Sequence, residues 1–474
     1  MRLISIAFMA VSFLLVLLND GGVYSFSLDL AVLSMTAALL FSPPTEKVKS
    51  RLLHLSNTVL TLWVAVVGFS IFQMLPTYES VANSAWVTLE QAEIIASSKI
   101  SVVPGDTLPA IIAISLPFMT VLICLRTFPS DRQAEKAIQA FGLIGGFLAM
   151  VAVAQFWLFP TSLMFDRKES YLDSATLPFV NRNTAATFYG LVILSLLVSL
   201  QSIWPAKAML DPQKSREARL FWFMLFAILA AIVALALTRS RAGIAASVIS
   251  VCVFSMLTAW AYTLKKGSAV VPKNFVASWK RAGAYSLVVL AVITIVALGV
   301  FGRAWLRADI SGADDARFCV YPNIAEAAQD NFTLGVGPGA FRYFFPAYRN
   351  PACNLDIGWF RAHSVYLDVV LAFGVFVGAL FLLAGILLPL SVYRKGARDR
   401  KSKRPYAFAG LSAVLLVALH SIVDFSVQVP GFAMAYGMLI ALTAIISLNT
   451  PGQTARKSSD FSRKSMEIYG PRNL

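Results

Sequence analysis

Charge is scarce in this chain. Only 14% of its 474 residues are Asp, Glu, Lys or Arg, where a soluble globular chain carries about 25%. The deficit excludes a large solvated surface, and 58% of the residues are hydrophobic. Cysteine is scarce too: there are four, none in a CxxC pair, so no zinc or thiol-redox motif is visible. Histidine is rarer still, at three. No DxD motif stands on the face assigned below as external, and the adjacent Asp314 and Asp315 are a weak metal signal. No metal and no cofactor are expected.

What remains is a set of long apolar runs, continuous rather than alternating. Lipid leaves backbone groups no partner outside the chain, so such runs read as helices. They place about twelve, near 4–19, 27–43, 55–75, 107–125, 137–158, 185–204, 220–238, 242–263, 282–302, 363–393, 406–423 and 430–448. The expected fold is all-α and polytopic. Residues 1–448 form a membrane domain that includes one large periplasmic loop, 303–362; residues 449–474 form a basic, disordered cytoplasmic tail. Arg2 and the run behind it resemble a signal peptide, but no small-residue cleavage site follows, so this stretch reads as the first membrane helix.

The net charge of +15 is explained by topology and not by nucleic acid. With the amino terminus inside, the internal segments hold more than two thirds of the 40 basic residues, including the cluster from Arg394 to Arg404. The bias puts both termini in the cytoplasm. The external cations are almost all arginine, whose planar fork binds phosphate in bidentate fashion.

Four features reach the external face. Arg239 and Arg241 lie in the turn LTRSRAG. Arg182 and Asn183 precede a helix in FVNRNTAATFYG. His363 follows Arg361 in RAHSVYLD, where a polar loop meets an apolar run. His420 and Asp424 lie in HSIVDF, one helical turn apart. Ionisable groups near the membrane are usually paired or functional. The TRSRAG arginines read either as snorkelling to lipid headgroups or as an anion site at a helix amino terminus, and the second is favoured. His363 reads as a helix cap or as a proton-transfer group; a free imidazole, with a pKa of about 6.5, suits a sugar hydroxyl. His420 and Asp424 read as a structural polar pair. GVGPGAFRYFF reads as a turn entering an amphipathic segment, or as backbone lining a glycan or pyrophosphate. Cys319 and Cys353 share the large loop and are a candidate disulfide. Cys124 and Cys252 read as small apolar residues, and His54 as an interfacial one.

Together FVNRNTAATFYG, the SRAG turn, GVGPGAF, HSVYLDVVLAFGVFVGALFLL and HSIVDF with Pro430 resemble the O-antigen ligase and O-antigen polymerase superfamily, over residues 179–432. The resemblance implies a polytopic inner-membrane glycosyltransferase acting on the periplasmic face. Its donor would be an undecaprenyl-pyrophosphate-linked glycan and its acceptor lipid A-core or a second lipid-linked glycan, with inversion and without metal. It implies that Arg241 binds donor pyrophosphate, that His363 is base or positions the acceptor, and that Arg361 sits nearby. Arg239 and Arg182 are further candidates for the pyrophosphate. The alternative is a transporter or flippase of the same glycan, which would place ionisable groups and broken helices at mid-membrane.

Overall fold

A computed structural model describes residues 1–22, 25–43, 50–94, 97–163, 167–203, 216–264, 316–353 and 358–449. Among them the chain is all-helical, with two isolated bridges and no strand. The helices are α1 (Arg2–Leu18), α2 (Ser25–Leu40), α3 (Ser50–Met74), α4 (Ser84–Gln91), α5 (Pro104–Thr127), α6 (Asp131–Leu158), α7 (Arg182–Ile203), α8 (Arg216–Leu237) and α9 (Arg241–Leu264). After them come α10 (Ala316–Asp330), α11 (Val365–Phe373), α12 (Val375–Asp399), α13 (Arg404–His420) and α14 (Pro430–Leu448). A single turn, Phe341–Phe344, continues as a 3-10 turn through Tyr348.

Eight of these are long and apolar enough to cross a membrane: α3, α5, α6, α7, α8, α9, α12 and α14. The protein is a multi-pass membrane protein. The helices α1, α2 and α13 are apolar but shorter. The run expected at 282–302 lies outside the described residues, as does the tail after Asn449.

The centre of the bundle is α7, which packs on α6, α8, α9, α13 and α14. Small residues allow this. A Cβ on Gly190 would meet the Ser247 Oγ at 2.4 Å, and one on Gly243 would meet the Ala186 Cβ at 2.5 Å. The small residues of NTAATFYG and SRAGIAAS therefore bring α7 and α9 close, as small residues do between helices in lipid. Proline starts several helices where an unbonded N–H would otherwise stand, at Pro104 and Pro430.

The run expected as one helix over 363–393 is two. It begins at Val365 and breaks at Gly374, with φ of +76°. The break is packed from outside. The Val336 amide donates to the Leu371 carbonyl at 2.9 Å and the Gly337 amide to Ala372 at 3.0 Å; the Val375 amide returns to Phe332 at 2.8 Å. The amide of Gln73 donates to the carbonyls of Leu334 and Ala372, at 2.6 and 2.8 Å. GVGPGAF thus docks its backbone on the interrupted helix. The turn expected there is present, with Gly335, Gly337 and Gly339 all at positive φ.

Candidate functional site

The turn between α8 and α9 is short because Ser240 caps α9. Its Oγ accepts from the Gly243 amide at 3.2 Å, leaving the Ser240 hydroxyl hydrogen to donate to the Asn183 Oδ1 at 2.7 Å. Asn183, in the first turn of α7, donates through Nδ2 to the Asp424 carboxylate. Asp424 is fully buried in the loop between α13 and α14, where it also accepts from the Phe425 amide at 2.8 Å. The His363 Nδ1 lies 3.9 Å from the Asp424 Oδ2, and the Arg317 Nη1 lies 3.8 Å from the same oxygen. Three contacts therefore run from the SRAG turn to the imidazole: Ser240 to Asn183, Asn183 to Asp424, Asp424 to His363.

Burial alone would raise the Asp424 carboxyl. The neighbouring His363, His420 and Arg317 outweigh it and hold the group below its ordinary value. The carboxylate is the fixed negative charge of the site.

His363 is held from several sides. Its ring meets Trp359 and Phe425 edge-on, with centroids 5.4 and 5.0 Å away. Its carbonyl accepts from the Tyr321 hydroxyl at 2.8 Å. Its backbone is left-handed, with φ of +50°, which is why α11 starts two residues later. Tyr171 and Arg239 share that uncommon conformation, at φ of +56° and +55°. Non-glycine residues so held gather at functional sites more than elsewhere.

The arginines form a second group. Arg239 donates to the Asp173 carboxylate, and Arg182 lies in electrostatic range of the same carboxylate with its guanidinium 5.2 Å over the Tyr171 ring. Burial pushes Asp173 upward, but Arg239 and Arg182 bring it below its ordinary value. Two of the cations singled out by sequence thus converge on one carboxylate. Arg241 is exposed at the first residue of α9. Arg361 is also exposed and in electrostatic range of Asp368, which accepts from Gln428.

His420 and Asp424 do not meet side chain to side chain. The His420 Nδ1 contacts the hydroxyls of Thr187 and Ser426 at 2.9 and 3.1 Å, and the Ser426 hydroxyl reaches the Asp424 Oδ1 at 3.5 Å. Cys319 and Cys353 are bonded, with Cα atoms 5.7 Å apart. The bridge ties α10 to the segment leading to His363. Among the described residues, no group of three His, Cys, Asp or Glu is placed to hold a metal ion.

Sequence reasoning missed Arg317 and Tyr321. Both lie on α10, inside a stretch read as loop, and their four-residue spacing was the available signal.

Residues 225–382 match the family described as O-antigen ligase. No curated protein matches the chain. The matched stretch contains the SRAG turn, GVGPGAF and His363; Asn183, His420 and Asp424 lie outside it. That match supports placing the chain in the O-antigen ligase and O-antigen polymerase superfamily, as a membrane-embedded, glycosyltransferase-like protein.

Proposed function

We propose that this protein transfers a glycan from undecaprenyl pyrophosphate to a hydroxyl of lipid A-core or of a second lipid-linked glycan, on the periplasmic face of the inner membrane. About twelve helices in residues 1–448 would form the membrane domain, with both termini cytoplasmic and loop 303–362 periplasmic. The observation that carries the reading is the chain of contacts from Ser240 through Asn183 and Asp424 to His363. It joins a turn rich in arginine to a group able to move a proton.

Transfer requires two things. The pyrophosphate must leave with its developing charge stabilised, and preorganised cations do this in a low-dielectric site. Arg241, Arg239, Arg182 and Arg361 supply that charge, which makes a metal unnecessary. The incoming hydroxyl must lose a proton as it attacks the anomeric carbon. His363 takes it, and the Asp424 carboxylate stabilises the imidazolium that forms. Attack opposite the leaving pyrophosphate inverts the centre. Asp173 occupies Arg239 until a phosphate replaces it.

A transporter of the same glycan draws on one observation, the break at Gly374. The enzyme is favoured because the polar network sits at helix ends, at the start of α7 and α9 and beyond the end of α13. Purified protein given a lipid-linked glycan and an acceptor tests the reading. Covalent transfer that disappears in His363→Ala supports it. Movement of the intact donor across a bilayer without transfer rejects it.

A further inference from the structure

The long helix α12 leaves the site and ends in cations that the proposed reaction does not use. It spans 25 residues, about 37 Å at about 1.5 Å each, enough to cross a hydrocarbon core of about 30 Å. Its far end is therefore at the opposite membrane face from Gly374 and His363. It is the least enclosed of the eight candidate spans. Phe376, Leu380, Leu383, Leu387 and Leu390 are all exposed, at spacings of three and four that lay them along one stripe.

That stripe runs into a hollow of about 510 Å³ lined by Leu387, Leu390, Ser391, Arg394, Lys395 and Arg398. Four of the neighbouring cations are matched to carboxylates, whereas Lys401 has no ion pair among the described residues and Arg404 donates to the Ala397 carbonyl. Arg400 pairs with Asp131, Lys403 with Glu135, and both Arg398 and Arg51 with Asp399. Arg394 and Lys395 are exposed and form no ion pair among the described residues. Two unmatched cations thus stand at the mouth of the hollow, directly beyond an apolar stripe.

We infer that this hollow binds an anionic phospholipid, with its phosphate at Arg394 and Lys395 and an acyl chain along Leu390, Leu387 and Leu383. Charge complementarity selects the headgroup, and the apolar stripe selects a lipid over a free anion. Basic segments at membrane surfaces attract anionic lipids in this way. The position across the bilayer from His363 makes it a site separate from the proposed donor site.

Native mass spectrometry of the full-length protein in detergent tests it, with phosphatidylglycerol, phosphatidylcholine and inorganic phosphate as the three probes. The wild type is expected to retain phosphatidylglycerol and shed phosphatidylcholine. The variant carrying Arg394→Gln and Lys395→Gln is expected to lose phosphatidylglycerol affinity roughly thirtyfold, the effect of two cations at an anionic surface. Equal retention of the two lipids by the wild type, or an unchanged variant, overturns the inference. So does displacement of the lipid by millimolar phosphate alone, which would mark a free-anion site. A protein dimer that the substitution dissociates overturns it as well, because the stripe would then face a second copy. If the variant does not fold, the wild type decides: its preference for phosphatidylglycerol must vanish in high salt, and persistence of the preference refutes an electrostatic headgroup site.

Discussion

The His363 Nδ1 faces the buried Asp424 Oδ2 across 3.9 Å, and that nitrogen is itself buried without a hydrogen bond. An imidazole so placed has a carboxylate ready to stabilise its charged form but is not locked to it. Replacing Asp424 by Asn keeps the shape and removes the charge. Transfer should fall roughly a hundredfold in kcat, within the range for losing acid–base assistance, with donor KM little changed. A change confined to KM would remove Asp424 from the chemistry.

The same carboxylate makes stability depend on pH. Its folded pKa is depressed, so its stabilising contribution is fully present above the unfolded value, about 3.9. It is lost as pH falls through the lower folded value. The melting temperature of the wild type should exceed that of Asp424→Asn at pH 7, and the gap should close under acid, below about pH 4. A gap that stays constant down to pH 3 would contradict this.

Arg239 is held by Asp173, so a phosphate must compete for it. Asp173→Asn should lower donor KM by about two- to fivefold, the scale of an exposed ion pair, with kcat unchanged. A rise in donor KM would show instead that Asp173 helps to shape the site.

The Cys319–Cys353 bond anchors α10, the helix that carries Arg317 and Tyr321, which contact Val423 and His363. The loop it closes contributes about 4 kcal/mol in the chain-entropy account. Cys353→Ser or thiol reductant should lower both thermal stability and transfer while leaving helix content intact by circular dichroism. Full transfer after complete reduction would separate α10 from the site.

Gly374 carries the break between α11 and α12. A Cβ there would meet the Thr333 carbonyl oxygen at 2.3 Å, and its φ is +76°. Gly374→Ala should destabilise the protein by about 1–3 kcal/mol or more, seen as a lower melting temperature. An unchanged melting temperature would mean the segment holding GVGPGAF gives way easily.

The helical runs were legible because lipid demands long apolar stretches, and α3, α5 to α9 and α14 fall close to the expected spans. The break at Gly374 was not legible. Apolar residues continue on both sides of it, and only the carbonyls of 332–334, distant in sequence, show why a glycine is needed. At the site, Arg239, Arg241, Asn183 and His363 stood out as polar groups at the ends of apolar runs. The linkage of the SRAG turn to His363 through Asp424 did not, because it depends on the approach of α7 to α9 and to the loop after α13. Arg317 was hidden because its helix is short and polar overall and carries Pro322, so that its buried face of Val320, Ile324, Ala327 and Ala328 reads as part of a loop.

The central claim is that the arginine-bearing turn and the histidine act as one site. A double-mutant cycle in a single-turnover transfer assay tests it, with His363→Ala, Arg241→Ala and the pair together. Groups acting as a unit give strongly non-additive losses. Each single change should reduce transfer severely and the double variant little further; losses that simply multiply, or full transfer by the double variant, would contradict the account.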